Sequence, residues 1–244
     1  MSNIEKYIQN IELIIDTLKN KELGNIEEAA QVVSSALSSG NFIYAFGTGH
    51  SHILAEEIFY RAGGMVKIYP ILCTELMLHE GAVKSTSMER LSGYAKVILD
   101  DYPVKKGDVI FVFSNSGRNA VPVEMAIEAK NRGMKIIVIT NINHSSASKS
   151  RHASGKRLFE LGDIIIDNCG EHGDACIQTK KKKVAPTSTA IGAMIMNAIV
   201  ARTAELLEEK KIKNIELYSS SNTDAGEKLN MKFIHKYKNI IKPL

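Results

Sequence analysis

Two short segments carry the residue types that grip an anion. Gly47-Thr48-Gly49-His50-Ser51 and Ser114-Asn115-Ser116-Gly117-Arg118-Asn119 each follow a compact apolar run and precede a helical pattern. Glycines let the main chain approach a ligand, hydroxyls and amides donate to its oxygens, and the free N–H groups of a helix start favour negative charge. A third cluster, Thr187-Ser188-Thr189, follows Ala-Pro at the start of the last long helical stretch. The chemistry these clusters share is a site for one phosphate, held by hydroxyls and backbone rather than by a fixed cation. A dinucleotide fits less well: Gly-Thr-Gly-His-Ser-His lacks the third glycine of G-x-G-x-x-G, no acidic residue ends the second strand, and no Walker lysine is present.

Such loops act together only if the fold brings them to one place. Ile4, Tyr7, Ile8, Ile11, Ile14, Ile15 and Leu18 recur at three and four, predicting an amphipathic helix over 3–20, and a second helix spans 25–39. Five short apolar runs then read as strands, at 42–46, 65–71, 108–113, 135–140 and 163–167, with helices over 51–61, 120–131 and 187–210. Runs that are apolar almost without alternation belong to strands buried on both faces, as in a parallel sheet covered by helices on each side. The expected fold is therefore α/β, a doubly wound three-layer sandwich around a five-stranded parallel sheet in flavodoxin-like order. It forms one domain over 1–244, with two N-terminal helices and a C-terminal tail. In that order the ligand crevice opens at the carboxyl ends of the first and third strands, the two followed by the glycine and serine loops. Two segments, 141–155 and 168–183, stay unassigned; Arg151 and His152 in the first could sit on a lid.

The 244 residues include 31 Lys and Arg against 27 Asp and Glu, a net charge of +4, and 44% are hydrophobic. That balance fits a globular chain with a sizeable core. With 7 Phe, 8 Tyr and no Trp, and one lysine run at 180–183, nothing resembles a nucleic-acid surface. Neither an export signal nor a membrane span is read, and three cysteines without a C-x-x-C pair fit a reducing cytoplasm. No cofactor and no metal are expected, since Cys169, His172 and Cys176 lack a fourth ligand at metal spacing.

At the Ser114-Asn115-Ser116-Gly117 loop, paired with Gly47, Gly49 and Ser51, the chain resembles the sugar isomerase (SIS) domain family over about residues 25–210. Its details are most similar to phosphoheptose-isomerase-like members. The resemblance implies a sugar phosphate held by Gly47, Gly49, His50, Ser51, Ser114, Asn115, Ser116, Gly117, Asn119, Thr187, Ser188 and Thr189. Asn119 stands where many relatives have Ser or Thr. Phosphoheptose isomerases carry a Glu ten residues beyond the first-loop serine and a His on the last helix; here Arg61 occupies the first position and 187–210 contains no His. Other SIS proteins place a Glu just after the second strand, where Glu75 stands, followed by His79 and Glu80. Glu75, Glu57 and His79 are the acid/base candidates for aldose–ketose isomerisation. A non-catalytic phosphosugar sensor and an amino-sugar-phosphate lyase or etherase remain open. SIS relatives assemble as dimers or tetramers, so a homodimer or larger homo-oligomer is expected.

Overall fold

The computed structural model describes residues 1–244. The chain begins with two helices, α1 (Asn3–Lys21) and α2 (Leu23–Ser38). Ser2 caps α1 through a reciprocal pair: its hydroxyl accepts from the Glu5 N–H at 3.3 Å, and the Glu5 carboxylate accepts from the Ser2 N–H at 2.6 Å. Of the isoleucine row, Ile14 is buried and Ile11 and Ile15 pack against the core, whereas Ile4 and Ile8 are 74% and 53% exposed. The Tyr7 hydroxyl reaches across to the Pro186 carbonyl at 2.9 Å.

Strand and helix then alternate: β1 (Ile43–Gly47), α3 (Ile53–Glu57), β2 (Ile68–Ile71), α4 (Ala82–Met88), α5 (Tyr94–Asp100), β3 (Val109–Phe113), α6 (Ala120–Asn131), β4 (Lys135–Thr140), α7 (Ile142–Ser146) and β5 (Ile164–Asp167). A two-stranded hairpin, β6 (Ala175–Gln178) and β7 (Lys183–Pro186), precedes the long α8 (Ser188–Glu209) and the final α9 (Asp224–Tyr237). The main sheet runs β2-β1-β3-β4-β5, every neighbouring pair parallel, so strand order reverses between β1 and β3.

The apolar runs are continuous because each strand feeds two cores. Ile43, Ala45, Val109, Phe111, Phe113, Ile137 and Ile139 face a core shared with α1, α2, α3 and α8. Tyr44, Phe46, Ile110, Val112, Ile136 and Val138 face the other, shared with α5, α6 and Tyr237 of α9. α8 is long and apolar enough to cross a bilayer by length and composition, yet it works as a core helix. Ile191, Ile195, Met196 and Ile199 are buried there, and α8 packs against α2 and α3.

The elements depart from the sequence expectation where contacts are non-local. α3 ends at Glu57 rather than at Arg61, because the chain turns at Tyr60, φ +46°, and the Gly63 N–H pairs with the Tyr218 carbonyl at 2.8 Å. Met65 likewise lies outside β2 and bridges antiparallel to Leu217. Helices α4 and α5, of seven residues each, are too short for a periodic signal, and α9 lies in the stretch expected as a C-terminal tail. The first unassigned segment holds α7, and the second holds β6 and the turn into β7.

Candidate functional site

β1 ends on a glycine for a steric reason. A Cβ at Gly47 would lie 2.5 Å from both the carbonyl carbon and the oxygen of Ser51, so only glycine lets the 3-10 turn Gly49–His52 fold back over the strand end. Gly117 answers two demands in the β3 loop. Its φ is +55°, and a Cβ there would meet the Ser145 hydroxyl at 2.9 Å. Within that loop the Ser114 hydroxyl accepts from the Gly117 N–H at 3.1 Å, and Thr140 at the end of β4 donates to the Ser114 carbonyl at 2.7 Å.

These turns and the start of α8 enclose one cleft, lined by His50, Ser51, Leu54, Phe113, Ser114, Asn115, Ile139, Asn168, Ser188 and Thr189. It lies at the carboxyl ends of β1, β3, β4 and β5, at the reversal of strand order. The polar groups are hydroxyls, amides and the His50 imidazole, and Leu54, Phe113 and Ile139 supply an apolar floor. Such a lining can hold phosphate oxygens with hydroxyl and amide donors while apolar carbons meet the C–H face of a small polyol.

Six of the twelve expected binding residues line this cleft: His50, Ser51, Ser114, Asn115, Ser188 and Thr189. Gly47, Gly49 and Gly117 shape the backbone around it. Ser116, Asn119 and Thr187 stand outside. The Asn119 amide donates to Glu89 at 2.6 Å, and its carbonyl accepts from Arg151 at 2.8 Å. Thr187 is buried, and its N–H and hydroxyl both turn to Asp174, at 3.0 and 3.4 Å. Asp174 also accepts from the Ser188 N–H at 2.8 Å and from the Ser188 hydroxyl at 2.6 Å, so a carboxylate already sits on the first turn of α8.

The three acid/base candidates lie apart from the cleft lining. Glu57 is bound to Arg61 and accepts from Asn197 of α8 at 2.9 Å. Glu75 accepts from the Cys73 thiol and from the Thr74 hydroxyl, each at 3.3 Å. Its own backbone N–H, followed by that thiol, holds the Glu75 carboxyl below the usual range, which makes it a weaker base. His79 is exposed and packs its ring 5.3 Å from that of His52. The segment read as a lid is pinned onto the β3 loop, because the Arg151 N–H donates to the Arg118 carbonyl at 2.8 Å. Cys169 and Cys176 turn to separate carbonyls, of Asp167 and Ala185.

Three groups at the site escaped the sequence reading. Asn168 donates to Asn115 at 2.8 Å and accepts from Asn141 at 3.1 Å, tying together the carboxyl ends of β3, β4 and β5. The available signal was an asparagine within two residues of the end of the third, fourth and fifth runs, at Asn115, Asn141 and Asn168. Asp174 had none. Glu89, in the turn after α4, accepts from Thr48 of the β1 loop at 2.9 Å and from Asn119 of the β3 loop at 2.6 Å. Burial pushes its carboxyl above the ordinary range, with the Thr48 bond and the charges of Arg90 and Arg151 opposing the shift.

Comparison with known proteins agrees with this architecture. A UPF0309 protein of Oceanobacillus iheyensis is 44% identical and aligns over 99% of both chains, and one of Geobacillus sp. is 43% identical over 98% of this chain and 97% of its own. Among solved structures, a phosphoheptose isomerase from Francisella tularensis superposes with a TM-score of 0.53 at 16% identity, covering 84% of this chain and 100% of that one. A phosphoheptose isomerase from Neisseria gonorrhoeae gives 0.50 at 14% identity, covering 85% and 97%. Those two likenesses establish the fold. The SIS domain profile matches residues 6–141, and with this sheet order, these loops and these relatives, the chain belongs to the SIS domain family.

Proposed function

We propose that the cleft binds a phosphorylated sugar and that the protein is a sugar-phosphate isomerase. One observation carries the reading: the β1 loop, the β3 loop and the start of α8 converge on one cleft at the switch point, with hydroxyl, amide and imidazole groups and no Lys, Arg, Asp or Glu in its lining. Kinship of fold with two phosphoheptose isomerases supports it. Isomerisation needs a group that takes a proton from the carbon beside the carbonyl and returns it to the neighbouring carbon. Glu89, which bridges the two loops from outside the cleft lining, is the carboxylate we assign to this step. It bonds both loops, and burial raises its proton affinity above that of an ordinary carboxylate, the direction a general base needs. Both Glu89 oxygens are engaged by the loops, which favours a second reading in which the carboxylate only bridges them and the protein senses its ligand without turnover.

A thermal melt tests binding. Sugar phosphates at about 100 times Kd should stabilise the fold by about 2.7 kcal/mol, the same sugars without phosphate should not, and Ser51→Asp should remove the shift by like-charge repulsion. Equal shifts from phosphorylated and free sugars would reject the phosphate site. Turnover is tested in heavy water, where an isomerase washes deuterium into the carbon next to the carbonyl. Glu89→Gln should lower that exchange about 10²- to 10⁴-fold with binding retained. Glu75→Gln and Glu57→Gln, run beside it, should leave exchange near wild type. Binding without exchange would replace the isomerase by the sensor or the lyase/etherase reading, which product analysis for a released acid separates.

A further inference from the structure

His52, Glu56 and His79 come together although the sequence sets them on different elements. His52 ends the 3-10 turn after β1, Glu56 lies one turn on in α3, and His79 belongs to the segment after β2. One ligand atom from each falls within 4.8 Å of the other two. We infer that these three side chains form a site for a divalent transition metal, zinc by preference, built on the outer side of the turn that carries Ser51. His50 and Ser51, the two residues before His52, line the cleft, but metal binding here does not depend on what the cleft holds.

The state of His52 supports this assignment. Its Nδ1 contacts the Gly49 carbonyl, and a carbonyl oxygen only accepts, so Nδ1 carries the hydrogen. In the neutral ring Nε2 then has a free lone pair, and it is Nε2 that faces Glu56 Oε1 at 3.5 Å. A ligating imidazole is commonly set this way, with the second nitrogen donating to a backbone carbonyl that fixes tautomer and ring plane. The ring is also immobile, since the His52 side chain is 4% exposed.

Distances fit as well. Metal–ligand bonds of about 2.0–2.2 Å in a tetrahedron put ligand atoms ~3.4 Å apart, close to the observed Nε2–Oε1 separation. The remaining gap is on the side of His79, whose exposed ring would have to rotate from its contact with His52 to close it. Two imidazoles and one carboxylate select zinc or its first-row neighbours over magnesium and calcium, which prefer oxygen donors throughout. Three protein ligands leave a fourth position for water. Neighbouring carboxylates do not compete, since Glu80 pairs with Lys84 at 2.7 Å and Glu57 is bound to Arg61.

The full chain, treated with a chelator and then dialysed, is titrated with Zn²⁺ by calorimetry, with Co²⁺ as a visible-absorption probe of coordination. One equivalent should bind, and His79→Ala and Glu56→Gln should each weaken it by about 100-fold or more, beyond the 10- to 100-fold typical of lost outer-shell partners. Both substituted residues are exposed, so the metal-free variants should melt like wild type, which separates lost ligation from lost folding. Cys169→Ser and Cys176→Ser should leave the affinity unchanged. Absence of binding in wild type, equal affinity in the His79 and Glu56 variants, or loss confined to the cysteine variants would each overturn the site.

Discussion

Two hydroxyl-bearing turns border the cleft, and they are in opposite states. The turn after β1 presents Ser51 to the cleft and is braced from behind by backbone packing on Gly47. The turn that opens α8 has already been supplied with an anion, because Asp174 takes two N–H groups and the hydroxyls of Thr187 and Ser188. Similar sequence signals, small residues with Ser and Thr before a helix, thus end in different electrostatics. A hydroxyl cluster at a helix start is an anion site only when the chain does not supply its own carboxylate. Of the α8 start, Ser188 and Thr189 line the cleft, and the Ser188 hydroxyl is committed to Asp174.

The largest expected effect breaks the open turn. Gly47→Ala places a methyl 2.5 Å from main-chain atoms of Ser51, which cannot rotate away as a side chain could. The turn must move, and we expect a loss of about 3 kcal/mol in denaturant unfolding together with loss of any sugar-phosphate thermal shift. A variant as stable as wild type would show that the turn is soft. The second prediction opens the closed turn. Asp174→Ala strips the first turn of α8 of its cap and should cost about 1–2 kcal/mol, while Asp174→Asn, which keeps acceptor oxygen, should cost less. Identical costs would mean that charge matters little there.

The smallest effect concerns the strut between the two loops. Glu89 is more readily protonated in the folded chain than in the unfolded one. A carboxyl with a raised folded pKa gives stability that is complete below its unfolded pKa and is lost as pH rises through the folded value. Glu89→Gln removes that loss. The stability of the variant relative to wild type should therefore increase as pH is taken upward through and beyond the carboxylate range, followed by melts at stepped pH. A gap that narrows with rising pH would contradict a strained Glu89.

Legibility followed the range of the contacts. β3 and β4 were readable because covering both faces leaves no polar alternation to confuse, and the loops after β1 and β3 were readable because glycine and serine act within a few residues. Glu89 was not, since its partners Thr48 and Asn119 lie 41 and 30 positions away and nothing in the local pattern marks it. Glu75 shows the converse: its place after the second strand is legible in the sequence, whereas the bonds from its own backbone N–H, the Cys73 thiol and the Thr74 hydroxyl that hold its carboxyl low are not. α9 escaped because Ser219–Asp224 reads as loop, whereas Thr223 caps a helix through the Gly226 N–H at 3.2 Å.

The bond from Tyr7 to Pro186 joins positions 179 apart in the chain. Ile14 and Leu18 of α1 share their core with residues of α8 that come later still. On a ribosome adding about 5–20 residues per second, α1 emerges some 10–40 s before the segments that complete its seat. Throughout that interval its isoleucines face solvent or whatever else is near. Made before its partners, α1 is thus among the last elements to be fully docked, and contacts of such high order slow the final closure. Premature termination anywhere before β7 would release a chain whose leading helix has lost its polar anchor and much of its apolar partner, a species prone to association rather than to folding.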